Sequence, residues 1–135
     1  MSRFVDQLRT ILGRHFDIRE ETAGETVVSA WARMGLDLSA ERGLTIHMQL
    51  PDEDAATELA FRADAIPGFE RAHMAEIASA DGLSTELTLT FRMKPEADAI
   101  DRLEQLVSAI GADLGAVADG WSADEEVTLP NVIAA

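Results

Sequence analysis

The chain of 135 residues contains no cysteine, and aromatic residues make up only 5% of it. The absence of cysteine excludes disulfide bonds, thiolate zinc sites and a thiol nucleophile. No apolar run approaches the roughly 20 residues that a membrane-spanning helix requires. Nearly half of the residues are nevertheless apolar, at 47%. We therefore expect one compact folded domain with a substantial core.

The first ten residues, MSRFVDQLRT, place charged side chains inside their only apolar run. This pattern does not fit a secretory signal peptide, which needs an uninterrupted apolar stretch. The expectation from sequence is a cytoplasmic protein that makes no contact with a membrane.

Basic residues are scarce, with 11 Lys and Arg against 25 Asp and Glu, a net charge of −14. The imbalance is uneven along the chain: Met1–Gly43 has a net charge of −1, and Leu44–Ala135 has −13. The negative electrostatic potential around the second segment repels phosphate backbones and attracts basic surfaces. Direct binding of nucleic acid is therefore disfavoured, and a basic protein partner is favoured. Alternatively, the negative charge only keeps the protein soluble.

Two helices are predicted before the first strand, and they form an N-terminal helical extension over residues 1–43. The first, Ser2–His15, carries an apolar stripe at helical spacing. The second, Glu20–Met34, ends at Gly35, as helices commonly do. Its apolar face is predicted to contain Thr26, Val27, Ala30, Trp31 and Met34, with Trp31 in the core.

Strict alternation predicts two half-buried strands. In the first, Leu44, Ile46, Met48 and Leu50 point one way, and Thr45, His47 and Gln49 point the other. In the second, the core-facing residues are predicted to be Thr85, Leu87, Leu89, Phe91 and Met93. The outward positions of both strands lack the aromatic and basic side chains that an RNA-binding sheet uses.

The remaining elements complete a regular order. An acidic first turn begins a helix after Pro51, with Ala55, Leu59, Phe61, Ala63 and Ile66 as its apolar residues. Phe69–Ala78 is predicted as a strand, Asp81-Gly82 as a hairpin turn and Ala116–Ala123 as a last strand. The helix after Pro95 has a buried stripe formed by Ile100, Leu103, Val107 and Ile110.

Residues 44–135 thus read as strand–helix–strand–strand–helix–strand. Right-handed crossovers make each strand–helix–strand a unit, and the hairpin joins the two units. The prediction is an α+β fold, a ferredoxin-like βαββαβ sandwich in which two helices cover one face of a four-stranded antiparallel sheet. One or two extra N-terminal helices precede it.

The sequence contains no phosphate loop, dinucleotide glycine pattern, paired-histidine zinc motif or nucleophile elbow. We therefore predict no catalytic residue, no cofactor and no metal ligand. His47 and His73 lie on neighbouring predicted strands. They leave open a third hypothesis, an enzyme or small-ligand sensor, which requires both imidazoles to converge in a cleft with nearby acids.

Several short motifs follow one another along the chain. They are a helix that ends in a turn with Gly35 and Asp37, a strand with His47, an acidic and alanine-rich helix over Asp52–Asp64, a step at Gly68-Phe69, and the late triplet Asp119-Gly120-Trp121. The order of these motifs resembles the regulator of ribonuclease activity B family. The resemblance covers roughly Glu25–Asp124. It implies a ferredoxin-like fold and a non-catalytic role, namely binding RNase E and restraining RNA decay.

Seven residues are the candidate partner-binding set: His47, His73, Asp119, Trp121, Asp124, Glu125 and Glu126. Gly120 is expected to permit a bulge, with Asp119 accepting hydrogen bonds from nearby amides. Trp121 has two alternative roles, a roof over the core or a surface anchor, and the core role is favoured. A second function stays open as well: an unpaired edge strand and the apolar ends of the chain could support a homodimer.

Overall fold

A computed structural model describes residues 21–123. These residues form three α-helices and four β-strands, with a short 3-10 turn at Ala112–Leu114. In chain order the elements are α1 (Ala23–Arg33), β1 (Arg42–Leu50), α2 (Glu53–Ala63), β2 (Phe69–Ser79), β3 (Gly82–Met93), α3 (Ala97–Gly111) and β4 (Val117–Ala123).

The four strands form one antiparallel sheet in the order β2-β3-β1-β4. The hairpin predicted at Asp81-Gly82 joins β2 to β3, and Ser79 pairs with Gly82. Gly82 begins β3 at a φ of 115°, a conformation that suits glycine. The chain therefore has the α+β class that the alternation predicts.

The core lies between one face of the sheet and the helices. The inward residues of β1 and β3 follow the predicted alternation, and Ile46, Met48, Leu87 and Leu89 have no exposed surface. Helix α2 contributes Ala56, Leu59 and Ala63 to the same cluster, and α3 contributes Val107. Both helices thus cover the same face of the sheet.

Helix α1 packs beside α3 and completes the core at one end. Its Trp31 is 5% exposed and contacts the buried Leu44 and Ile100. Thr22 and Glu25 form a capping box at its start. Gly24 donates its backbone N–H to Asp101 Oδ1 at 2.7 Å, and a Cβ there would overlap the carbonyl oxygen of Ala97. The glycine thus permits the close approach of α1 to α3.

Three details differ from the sequence prediction. Phe61 was expected on the apolar face of α2, but it is 77% exposed, since the buried residues follow the spacing 56, 59 and 63 instead. Met34 follows the end of α1 and is 57% exposed. Thr90 lies between the core-facing Leu89 and Phe91, so alternation places it on the outer face, but it is only 3% exposed, and its hydroxyl lies 2.7 Å from that of Thr45.

Two predictions fall outside the described residues: the amphipathic helix over Ser2–His15 and the acidic triplet Asp124, Glu125 and Glu126. Within residues 21–123, no helix is long and apolar enough to cross a membrane.

Candidate functional site

His47 lies at the centre of a polar cluster on the outer face of the sheet, the face opposite the helices. Its Nε2 is 2.9 Å from Ser122 Oγ, and its Nδ1 is 3.4 Å from Glu86 Oε2. The three residues come from β1, β4 and β3. The register places Thr45 opposite Ser122 and Gln49 opposite Glu86, so both side chains lie diagonally across from His47 on the neighbouring strands. Neither Ser122 nor Glu86 was singled out from sequence, because they are 75 and 39 residues away from His47 along the chain.

This cluster has the carboxylate–imidazole–hydroxyl order that serine nucleophiles use. The Nδ1–Oε2 distance of 3.4 Å is longer than an ordinary N–H···O hydrogen bond. A serine nucleophile also needs donors aimed at the oxyanion that forms on the substrate. The contacts described for Ser122 supply the imidazole alone. The described contacts thus form a cross-strand polar network that joins β3, β1 and β4.

His73 is on the same face as His47 but does not meet it. Both histidines pair with Thr88, from opposite sides of β3. Two strand spacings therefore separate their backbones, roughly 10 Å. Within residues 21–123, no group of three or more His, Cys, Asp or Glu side chains could hold a metal ion. The described side-chain partners of His47 are Ser122 and Glu86, and His73 shares neither of them.

Asp119 and Gly120 form the bulge that the sequence predicts. His47 pairs with Gly120 and Met48 pairs with Ala118, which leaves Asp119 as the extra residue of β4. Gly120 has a φ of 125°, which a side chain would strain. The Asp119 carboxylate accepts from the side-chain amide of Gln49 at 3.4 Å, in place of the backbone amides that were expected.

Trp121 lies on the inner face, beneath the helices. It packs against both core clusters, the one around Ile46 and the one around Trp31. Its indole Nε1 donates to Glu104 Oε1 at 2.9 Å, which joins β4 to α3. The tryptophan is thus a structural residue of the core, and its position on the inner face separates it from His47, His73 and Asp119.

The turn after α1 contains two further residues of the resemblance. Gly35 adopts a φ of 88°, which allows the helix to end. The carboxylate of Asp37 accepts from the Ser39 hydroxyl at 2.6 Å and from the Ser39 backbone N–H at 2.9 Å. The hydrogen bond from the Ser39 hydroxyl lowers the pKa of Asp37 most, and the one from the Ser39 backbone N–H lowers it further below its ordinary value. Both residues shape the backbone at this turn.

Charge is divided unequally between the helices and the strands. The helical layer, defined as residues 22–34, 52–64 and 96–114, contains 11 acidic and three basic side chains, a net charge of −8. The four strands contain four acidic and three basic side chains, a net charge of −1. The negative potential is therefore concentrated on the helical layer, on the side of the molecule opposite the His47 cluster.

One ion-pair network neutralises part of this charge. Arg62 of α2 donates to Glu58 at 3.0 Å, to Asp113 at 2.8 Å and to the backbone carbonyl of Ile110 at 2.7 Å. The guanidinium lowers the pKa of Asp113, and the two carboxylates raise the pKa of Arg62. Exposed carboxylates of the helical layer that have no ion pair among the described residues include Asp52, Glu53, Asp54, Asp64, Glu96 and Asp98.

A small cavity of about 150 Å³ lies where α2 begins, beside the end of the β2–β3 hairpin. Its lining combines carboxylates, an aliphatic wall and hydroxyls: Pro51, Asp52, Glu53, Glu76, Leu83, Ser84 and Thr85. These residues come from three separate segments, so no local motif in the sequence indicates the cavity.

Comparison with protein-family models gives no match to this chain, and a comparison with curated proteins gives none either. The resemblance to the regulator of ribonuclease activity B family therefore stays a prediction that depends on the residues quoted for it.

Proposed function

We propose that this chain is a non-catalytic acidic protein of the cytoplasm that binds a basic, arginine-rich segment of a protein partner. RNase E, or a related protein of RNA decay, is the partner that the resemblance implies. By occupying a segment that otherwise holds RNA, the chain would restrain decay without contacting RNA itself.

The observation that carries the proposal is the concentration of charge on the helical layer. A net charge of −8 on one side of a small domain produces a potential that steers basic chains to that side. Exposed carboxylates such as Asp54, Asp64 and Asp98 are available to such a partner, because no basic side chain of the described residues pairs with them. Of the residues chosen from sequence, His47, His73, Asp119 and Trp121 are described, and they lie on the strands rather than on the helices.

The test is binding of a synthetic 20-residue arginine-rich peptide to the full chain, followed by fluorescence anisotropy at low and physiological ionic strength. We expect binding that weakens by about tenfold or more as salt rises from 50 to 200 mM, since exposed charges are screened over about 10 Å. A peptide of the same length with glutamine at each arginine position is the control. Equal affinity for both peptides, or no affinity for either, would contradict the proposal.

We also propose that residues 44–123 have the ferredoxin-like arrangement. The order strand–helix–strand–strand–helix–strand supports it. So do the sheet order β2-β3-β1-β4 and the packing of α2 and α3 on one face. An experimental structure of the chain tests this proposal, and a parallel pair among the two central strands would contradict it.

A second candidate function is self-association through β2. This strand has 11 residues and lies at the edge of the sheet. Long edge strands with unpaired backbone groups are templates for another strand. Met74, on the inner side of β2, is 38% exposed and lies 3.9 Å from Thr57 of α2, and the exposed Phe61 is one turn further along that helix. A second copy paired along β2 would cover this apolar strip.

Sedimentation velocity of the wild type and of Met74→Lys tests self-association. We expect a dimer for the wild type and a monomer for the variant, since a lysine at an edge strand disfavours pairing. Met34→Lys adds the same charge at an exposed position away from β2 and should remain dimeric. A monomeric wild type would remove this candidate without affecting the proposed binding of a basic segment.

A further inference from the structure

We infer that the cavity beside the start of α2 is the seat for a single arginine side chain of the basic partner. This inference rests on the proposed function and adds the site at which that partner is recognised. The seat is lined by three carboxylates and by Thr85, a residue that is only 7% exposed, with aliphatic side chains as its walls.

The carboxylates approach the cavity from two elements. Asp52 and Glu53 come from the start of α2, and Glu76 comes from β2. One oxygen of Asp52, Oδ1, is occupied by the backbone N–H of Ala55 at 2.8 Å. The positive end of the α2 dipole, equivalent to roughly half a charge, offsets only a part of three carboxylates. The cavity therefore favours a cation.

Thr85 provides a second and independent indication of a ligand. Its side chain lines the cavity although the residue is only 7% exposed. Within residues 21–123 no hydrogen bond of its hydroxyl is described, so the hydroxyl is available to a group that enters the cavity. Thr85 pairs directly with Glu76 across β3 and β2. Cross-strand partners have Cβ atoms about 5 Å apart, so one ligand group can contact both side chains.

The shape and lining of the cavity favour a guanidinium over a metal ion. The three carboxylates do not form a group that could hold a metal among the described residues. A volume of about 150 Å³ is instead compatible with the end of an organic side chain. Leu83, which is 65% exposed, and Pro51 can pack against the methylene groups of such a side chain. A planar guanidinium presents five donors, which suits several acceptors placed around it.

The experiment measures binding of two peptides of equal charge, one arginine-rich and one with lysine at every arginine position, to the full chain and its variants. Glu76→Gln should weaken the arginine peptide by about fivefold. Thr85→Val changes no charge and suits a strand, and it should weaken that peptide by about threefold while the lysine peptide changes less. Asp81→Asn removes one charge from the hairpin turn, outside both the cavity lining and the helical layer, and Asn-Gly also suits such a turn, so it should change binding by less than about twofold. Circular dichroism verifies the fold of each variant.

The outcomes separate this inference from the proposed function. If the arginine peptide binds in a salt-dependent manner but Glu76→Gln and Thr85→Val bind as Asp81→Asn does, the seat is wrong and the proposed function survives. If both peptides respond equally to Thr85→Val, the assignment to a guanidinium is wrong. If neither peptide binds the wild type at low salt, the proposed function and the seat fail together.

Discussion

The helical layer and the outer face of the sheet use polar residues in opposite ways. On the outer face, polar groups contact one another across strands, as in the pairs His47–Ser122 and Thr45–Thr90. On the helical layer, many carboxylates extend into solvent without a basic neighbour among the described residues, Asp64 and Asp98 among them.

This difference indicates which surface would give the more favourable free energy of binding to a partner. Groups that are already hydrogen-bonded offer a partner little, because breaking and remaking a bond is close to neutral. Unpaired carboxylates on a surface with a net charge of −8 repel one another, and a basic partner relieves that repulsion. The helical layer is therefore the better candidate for binding, although the described residues that were singled out from sequence lie on the strands.

Removal of the Trp31 side chain should have the largest effect on this arrangement. Trp31→Ala should lower the free energy of unfolding by about 3–5 kcal/mol, because it empties the end of the core where α1 meets α3. Chemical denaturation followed by circular dichroism measures the change. Met34→Ala, at an exposed position after the same helix, should stay within about 0.5 kcal/mol of the wild type. Equal losses for the two variants would contradict the described packing of α1.

Gly24→Ala tests the close contact between α1 and α3. Helix propensity alone predicts a gain of about 1 kcal/mol from this change. The structure predicts a loss of about 1–3 kcal/mol instead, since the new Cβ overlaps the backbone of Ala97. The sign of the change in unfolding free energy decides between them, and a stabilised variant would show that the helices are further apart.

Two matched double variants sharpen the comparison between the two faces. Asp64→Asn with Asp98→Asn removes two charges from the helical layer, and Glu86→Gln with Asp119→Asn removes two from strands β3 and β4. At low salt the first pair should weaken the arginine-rich peptide by about fivefold, and the second by less than about twofold. Anisotropy titrations measure both, and a larger effect from the strand pair would reverse our assignment of the binding surface.

Asp113→Asn examines the network that ties α2 to the end of α3. Arg62 lowers the pKa of Asp113 from its ordinary value of 3.8, so the folded state favours the charged carboxylate. This contribution to stability is therefore present above about pH 4 and is lost as pH falls through the folded pKa. The variant should be less stable than the wild type at pH 7, and the difference should shrink in acid. Urea titrations at pH 7 and pH 3 measure it, and a constant difference would argue against the ion pair.

The His47 cluster should show the smallest effect. Incubation of the full chain with a fluorophosphonate probe should leave Ser122 unlabelled, since Glu86 Oε2, at 3.4 Å from Nδ1, holds the His47 imidazole only weakly in the orientation of a general base. Mass spectrometry of the intact protein detects labelling. A label on the wild type that Ser122→Ala abolishes would contradict the non-catalytic proposal.

The strands with one buried face were predictable from sequence. Alternation in β1 and β3 is strict, and the residues assigned to the core are buried, except for the half-buried Met93 at the end of β3. The alanine-rich α2 was harder: Phe61 is the largest apolar residue there, yet the helical turn points it away from the sheet. Its small buried residues, Ala56 and Ala63, carry little signal in a hydrophobic pattern.

The candidate site was less accessible to sequence reasoning. The bulge at Asp119-Gly120 was predictable, because a glycine in a strand often marks one. The cavity was not, since Asp52, Glu76 and Thr85 are brought together only by the pairing of β2 with β3 and the position of α2. The excess of acidic residues was visible in the composition. That these residues gather on the helices, on the side opposite the outer face of the sheet, could be seen only once the fold was known.

The most direct test of the central claim is a titration of the 15N-labelled chain with the arginine-rich peptide, followed by two-dimensional NMR. We predict chemical-shift changes at the exposed residues of α2 and α3 and at the cavity, above all at Asp52, Glu76 and Thr85. Changes confined to the outer face of the sheet, around His47 and Thr88, would contradict the claim that the helical layer is the binding surface.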